Sequence, residues 1–168
     1  QDLRALAAAW PDDPAVRKQL AMGLFNTLNH AKDEGDTARR DALLQDLRAL
    51  AAAWPDDPAV REWLAMGLFN TLYHAKDEGD TARRDALLQD LRALAAAWPD
   101  DPAVREQLAR GLGKTCLDVD AEGDSVRADA LYDELVALAR AWHEHSIVQQ
   151  VLTVVTDLRP QGGAPGHG

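Results

Sequence analysis

Residues 55–98 read PDDPAVREWLAMGLFNTLYHAKDEGDTARRDALLQDLRALAAAW, and this stretch decides the fold because the chain repeats it. The blocks 1–44 and 45–88 are almost identical, and the block 89–132 keeps the same frame while diverging in its middle. The first two blocks differ only at Lys18/Glu62, Gln19/Trp63 and Asn29/Tyr73. A period of this length is typical of repeat proteins whose units bury their apolar sides against their neighbours. The repetition therefore predicts a solenoid, which presents surfaces more often than it encloses a catalytic centre.

Each repeat contains start and stop signals for two helices. Asp57 is a good N-cap and Pro58 suits the first helical position, so a helix is predicted to begin there. Gly79 supplies a left-handed stop, Asp80 caps the next helix, and Pro99 ends it. The helix formers Ala, Leu, Arg, Glu and Gln fill both segments, which favours an all-α protein.

The same frame extends along the chain as a series of hairpins, each with a first helix A and a second helix B. We predict A helices at 14–34, 58–78 and 102–122, and B helices at 37–54, 81–98 and 125–143. A single domain over 1–159 would then comprise a partial B helix at 1–10, repeats at 11–54, 55–98 and 99–143, and a capping helix at 146–159. The segment 146–159 is rich in valine, but its position in the frame favours helix over strand. Residues 160–168 have no apolar content to bury and are predicted to form a flexible tail.

Composition narrows the function. A net charge of −10 disfavours nucleic acid and anionic membranes, and basic or neutral partners fit better. No stretch approaches the roughly 20 apolar residues of a membrane span, and no signal-peptide pattern opens the chain. The single cysteine, Cys116, is compatible with a reducing, cytoplasmic location. Gln1 lies inside a motif that recurs, so we expect a fragment of a longer protein or an engineered chain.

The repeat resembles the tetratricopeptide repeat. In the second unit the motif positions are taken by Pro55 to Pro58 in the turn, by Leu64, Ala65 and Leu68 in helix A, and by Leu87, Leu91, Leu94 and Pro99 in helix B. The family's period is about 34 residues, whereas this one is 44. The extra length, about two turns in helix A and one in helix B, keeps the buried sides in phase. The resemblance covers about 11–143 and implies a right-handed superhelix of antiparallel hairpins.

The resemblance also implies that the A helices line a concave groove for a peptide or partner helix. Transferred by frame, the groove positions are Lys18, Met22, Phe25, Asn26 and Asn29 in the first repeat, Glu62, Met66, Phe69, Asn70 and Tyr73 in the second, and Glu106, Arg110, Gly113, Lys114 and Leu117 in the third. Trp63 occurs once and falls near this line, so it is a candidate ligand anchor or an engineered probe. We expect Phe25, Phe69, Asn70 and Tyr73 to be exposed and close together.

Several side chains allow both a functional and a structural interpretation. Asn70 could clamp a peptide backbone with its amide, or it could be a solvated helix position. The tryptophans at 10, 54, 98 and 142 favour packing between repeats over ligand binding. Gly67 and its equivalents in mid-helix imply close approach of a neighbouring helix, because glycine otherwise weakens a helix.

The ionisable side chains give little support to metal binding or catalysis. His30/Glu34 and His74/Glu78 share helix faces but are too few for a metal site. Ser125 and Ser146 are expected at helix N-caps, and no phosphate-binding loop follows a strand. We expect no catalytic residues and no cofactor.

Three functional hypotheses follow. The first is a non-enzymatic scaffold that binds a protein or peptide in the groove. The second is a structural or self-assembling repeat, in which units stack end to end between molecules. The third is a sensor or spacer arm of a larger signalling protein.

Overall fold

A computed structural model describes residues 13–159, and this part of the chain is all-helical. Within that range there are seven α-helices and no strand. Their bounds are α1 Pro14–Asp33, α2 Thr37–Ala53, α3 Pro58–Ala75, α4 Thr81–Ala97, α5 Pro102–Ala121, α6 Ser125–Ala141 and α7 Ser146–Leu158. Helices α1, α3 and α5 are the predicted A helices, α2, α4 and α6 are the predicted B helices, and α7 occupies the predicted capping segment. The predicted partial helix at 1–10 and the predicted tail at 160–168 lie outside the described residues.

The helix ends follow the local sequence signals. Asp57 caps α3, since its carboxylate accepts from the N–H groups of Ala59 and Val60 at 3.1 and 3.4 Å. Gly79 has a φ of 70°, and the next N–H, that of Asp80, donates to the Ala75 carbonyl at 2.9 Å. This left-handed residue reverses the chain between the two helices of the hairpin.

The prediction of serine N-caps is wrong at both positions. Asp124 caps α6 and accepts from the Arg127 N–H, so Ser125 is the first helical residue. His145 stands at the N-cap of α7 without a capping side-chain hydrogen bond, and Ser146 again follows it. At α6 the repeat already indicated Asp124, because Asp80, the predicted cap in the second repeat, stands at the same position.

Successive hairpins pack in the same way each time. Each A helix contacts its own B helix and the A helix that follows, and each B helix contacts that following A helix as well. The backbones of neighbouring B helices do not contact one another within residues 13–159. The core therefore lies between the A helices and the B helices and is filled mainly by leucine.

The mid-helix glycines mark close approach, as the sequence predicted. A Cβ atom placed on Gly67 would lie 3.1 Å from Leu47 Cδ1 on α2, and one on Gly111 would lie 3.0 Å from Leu91 Cδ1 on α4. The preceding B helix therefore packs directly against the glycine backbone, which offsets the poor helix propensity of glycine.

Two buried arginines tie each hairpin to the next. Arg40, only 1% exposed, donates from both terminal nitrogens to Glu78 at 2.5 and 2.7 Å. Arg84, at 0% exposed, makes the equivalent pair with Glu122, with its shortest contact at 2.6 Å. Each arginine belongs to a B helix, and each glutamate lies just after the next A helix, so the pair spans the junction between hairpins.

A second set of ion pairs joins neighbouring B helices across their outer sides. Arg92 reaches Glu134 at 2.8 and 2.5 Å, and Arg127 reaches Asp85 at 2.5 Å. The remaining pairs of this kind, between α2 and α4, are Arg48 with Asp90 and Arg83 with Asp41. These contacts are partly exposed, so each one contributes little by itself.

The recurring tryptophans at 54, 98 and 142 lie where one hairpin meets the next, and each has an arginine guanidinium over its ring. The guanidinium of Arg61 lies 4.0 Å from the Trp98 ring centroid, and its Nε donates to Asp101, the N-cap of α5, at 3.1 Å. Arg17 and Trp54 repeat the arrangement with Asp57. Arginine thereby couples the tryptophan of its own hairpin to the first turn of the following A helix.

Replacing Gly67 by leucine should destabilise the protein, because the added side chain would overlap Leu47 and Leu44 of α2. We expect a loss of about 1–3 kcal/mol or more in the free energy of unfolding, measured by urea denaturation. Ala52→Leu on the exposed side of α2 is the matched control and should change stability by less than about 0.5 kcal/mol. Equal stabilities of the two variants would contradict this packing.

Glu78→Gln should lower the free energy of unfolding by about 3 kcal/mol at neutral pH, because it leaves the buried Arg40 guanidinium without a carboxylate. Glu34→Gln is the matched control. Glu34 holds the same place in the first repeat but pairs with the exposed Arg39, so we expect a loss below about 1 kcal/mol. Equal losses of unfolding free energy in the two variants would show that the buried Arg40 does not stabilise the contact between hairpins.

The same pair makes stability depend on pH. Hydrogen bonding to Arg40 lowers the pKa of Glu78 below its ordinary value of 4.5. The stabilisation is therefore present above pH 4.5 and is lost as the pH falls through the lower folded-state pKa. The difference in the free energy of unfolding between the wild type and Glu78→Gln, measured at a series of acid pH values, should therefore shrink as the pH falls below 4.5. A constant difference would contradict the pairing.

Candidate ligand groove

The A helices α1, α3 and α5, together with α7, present one side that carries two shallow, adjoining hollows. We call this side the A-helix surface. The first hollow, the amide hollow, has a volume of about 400 Å³ and is lined by Asn29, Lys32, Asp33, Phe69, Asn70, Tyr73 and His74. The second, the α7 hollow, has a volume of about 310 Å³ and is lined by Phe69, Tyr73, Arg110, Gly113, Lys114, Leu117, Ile147, Gln150, Val151, Val154 and Val155. Phe69 and Tyr73 line both hollows, which makes the surface continuous from α1 to α7.

The structure brings eight of the predicted groove residues to these hollows: Asn29, Phe69, Asn70, Tyr73, Arg110, Gly113, Lys114 and Leu117. Eight others line neither hollow: Lys18, Met22, Phe25, Asn26, Glu62, Trp63, Met66 and Glu106. Met22 and Met66 are half-buried, and Asn26 and Glu62 are exposed. Glu62 instead lines a hollow at the junction of two hairpins.

The expectation that Phe25 is exposed is wrong. Phe25 is 7% exposed, and its ring centroid lies 5.1 Å from that of Trp63 on the next A helix. Trp63 is half-buried against the core in this contact, so its structural role is to pack α3 onto α1. Of the four residues expected to be exposed, only Tyr73, at 46%, is exposed, while Phe69 and Asn70 are half-buried.

The position of the Phe25–Trp63 contact recurs one and two repeats later with different partners. One period after Phe25 and Trp63 stand Phe69 and Gln107, and a further period on stand Gly113 and Val151. A Cβ atom on Gly113 would lie 2.8 Å from Val151 Cγ1, so loss of the phenylalanine allows α7 to approach α5 closely. The difference Gln19/Trp63 between the first two repeats thus accompanies a change in helix packing.

Asn70 has a partner within the chain. Its amide nitrogen donates to the side-chain oxygen of Asn29 at 3.2 Å, across α3 and α1. One period later the same two positions are Tyr73 and Lys114, and the Lys114 ammonium lies 5.1 Å from the Tyr73 ring centroid. The sequence interpretations, a peptide clamp or a solvated position, both missed this contact between helices.

The α7 side chains in the groove were also missed. Val154 is 52% exposed beside the half-buried Ile147 and Val151. The sequence did contain a signal, because Gln150 and Val154 stand one period after the predicted groove residues Glu106 and Arg110. Extending the frame to the fourth unit would have placed them in the groove.

The ionisable side chains near the A-helix surface are affected by burial or held by structural contacts. Burial lowers the pKa of His74, and the charge of Lys32 lowers it further. Its helical neighbour Glu78 is held by Arg40. Burial raises the pKa of the Cys116 thiol, which donates to the Ala128 carbonyl at 3.3 Å. Within residues 13–159, no group of three His, Cys, Asp or Glu side chains could hold a metal ion.

Two larger hollows, of about 660 and 640 Å³, lie at the hairpin junctions around Trp54 and Trp98. One arginine and one aspartate of each lining are already paired, since Arg17 binds Asp57 and Arg61 binds Asp101. The arginines also cover the tryptophan rings. We therefore regard the A-helix surface, with its exposed apolar side chains, as the better candidate site.

Comparisons with protein-family models, with curated proteins and with solved structures found no match to this chain. In residues 13–159, none of the helices combines the length and the apolar character that crossing a membrane requires.

The packing role of the Phe25–Trp63 contact can be measured with a double-mutant cycle. Phe25→Leu and Trp63→Leu should each destabilise the protein, and the two losses should be coupled by about 0.5–1.5 kcal/mol because the rings touch. Phe69→Leu combined with Trp63→Leu is the matched control, for which we expect additive losses. Additivity in both cycles would show that the Phe25–Trp63 ring contact carries no energy of its own.

Proposed function

We propose that this chain is a non-enzymatic interaction module, a right-handed tetratricopeptide-like solenoid that binds a peptide or helix of another protein on its A-helix surface. The repeated packing of A helix on A helix, and of B helix on the following A helix, supports the solenoid. Tetratricopeptide-like hairpins with lengthened helices would retain this order of contacts.

The observation that carries the proposed function is the exposure of apolar side chains that face the same hollow from different helices. Tyr73 on α3 and Val154 on α7 are about half exposed and both line the α7 hollow. A soluble protein that leaves large apolar side chains adjoining a hollow commonly uses them in binding. The adjoining amide hollow adds Asn29, Lys32 and His74, which can hydrogen-bond a ligand backbone.

The capping position of α7 argues against end-to-end assembly at this end. Leu24, Leu68 and Leu112 are buried at one position of the three A helices, whereas the equivalent residue of α7 is the exposed Thr156. At the following position of the helix, α1 has the buried Phe25 and α7 has the exposed Asp157. A polar outer side of this kind is what a terminal repeat requires. Sedimentation velocity should therefore show no open-ended increase of mass with concentration.

The proposed function is tested by selecting peptides from a displayed random library against the purified chain. Selected peptides should perturb the amide resonances of Phe69, Tyr73, Lys114 and Val154 in a titration of the isotope-labelled protein. Tyr73→Ala should weaken binding about tenfold or more, because aromatic anchors dominate such interfaces. Val126→Ser changes an exposed apolar residue outside both hollows and should leave binding unchanged. Selected peptides that bind elsewhere, or a library that yields none, would contradict the proposal.

A further inference from the structure

We propose that the α7 hollow receives one large apolar side chain of a partner segment and that this side chain is flanked by carboxylates. The inference rests on the proposed function and specifies the ligand of the same surface. It is carried by the shape of the hollow and by the charges around it.

The size and lining of the hollow fit an anchoring side chain. Seven of its lining side chains are apolar, those of Phe69, Tyr73, Leu117, Ile147, Val151, Val154 and Val155. Its volume of about 310 Å³ is on the scale of one or two side chains and is too small for a whole helix. Burying an apolar side chain against these groups removes apolar area on both partners from water.

The hollow depends on helix α7, which does not follow the repeat sequence. Gly113 allows Val151 and Val155 to approach to 2.8 and 3.0 Å of the place where a Cβ would lie. The first two repeats carry Phe25 and Phe69 at this position, and a phenylalanine there would displace α7. The wall formed by α7 is thus particular to this end of the surface.

The charged residues beside the hollow favour a ligand that carries carboxylates. Its only charged lining residues are Arg110 and Lys114, both basic, in a chain of net charge −10. Arg110 pairs with the helical neighbour Glu106 at 2.7 Å. Lys114 shares the buried carboxylate of Asp118 with Lys76, at 2.6 and 3.1 Å. Among these five side chains, three cations are therefore matched by two carboxylates, and the surplus positive charge comes from Lys76, which adjoins the hollow's ion pairs without lining it.

The surplus is confined to one end of the A-helix surface. The first two repeats have Met22 and Met66 where the third has Arg110, and Asn26 and Asn70 where it has Lys114. In the amide hollow the charged lining residues are Lys32 and Asp33, which pair with each other at 3.1 Å. A ligand with its carboxylates beside the apolar anchor would bind in one direction only.

Three synthetic peptides of equal length test the inference, each with a central leucine flanked by glutamate, glutamine or lysine. Binding is measured by fluorescence anisotropy at low and high salt. The glutamate peptide should bind about tenfold more tightly than the glutamine peptide, and added salt should remove this advantage. The lysine peptide should bind most weakly.

The chain supplies its own substitutions for the charge test. Arg110→Met and Lys114→Asn install the residues of the first two repeats and should each reduce the preference for glutamate. Arg140→Gln removes the same charge from an exposed site on α6 and should leave the preference unchanged. Val154→Ser should weaken the glutamate and glutamine peptides equally, because it removes apolar contact alone. Unchanged melting temperatures would confirm that each variant folds.

Equal binding of the three peptides, failure of all three to bind, or an unchanged preference in Arg110→Met and Lys114→Asn would overturn the inference. If library-selected peptides still bind at Tyr73 without favouring acidic residues, the proposed function stands and only this ligand assignment fails. If the library yields no peptide that binds the A-helix surface, the proposed function fails as well.

Discussion

Burial of one arginine at each junction constrains how successive hairpins can pack. Removing a guanidinium from water costs several kcal/mol unless a carboxylate meets it in good geometry. Arg40 and Arg84 are almost fully buried, and each meets a glutamate of the next hairpin through both terminal nitrogens. A hairpin displaced by one turn would leave the charge unpaired. The buried leucines favour close packing, whereas the arginine selects one register among the close-packed arrangements.

This constraint also gives the long A helices a structural role. Glu78 lies three residues after the end of α3, and Glu122 directly follows α5; both must reach back to the first turn of the preceding B helix. A shorter A helix would not bring the glutamate to that depth. The length of the A helices is therefore coupled to the ion pair.

The helices could be predicted from the sequence because their ends are set locally. Asp57 and Pro58 begin α3, and Gly79 with Asp80 separates it from α4, all within a few residues of the ends they determine. The junction pairs could not be predicted in this way, since Arg40 and Glu78 stand 38 residues apart and both have the character of surface residues. The recurrence of the same spacing between Arg84 and Glu122 was the one available signal.

The candidate groove was predicted only in part, because a difference between repeats can have either of two causes. Substitution between repeats can adjust a ligand surface, and it can equally adjust the packing of adjacent A helices. Trp63 illustrates the second case, since its ring packs on Phe25. Arg110 and Lys114 fit the first case, because they replace neutral residues beside an open hollow. Together with Lys76 they make three cations that share two carboxylates. A surface built only from identical repeats would offer a ligand several equivalent registers. The divergent third repeat and α7 remove that degeneracy, and so the least repetitive part of the chain is where selectivity for a partner can arise.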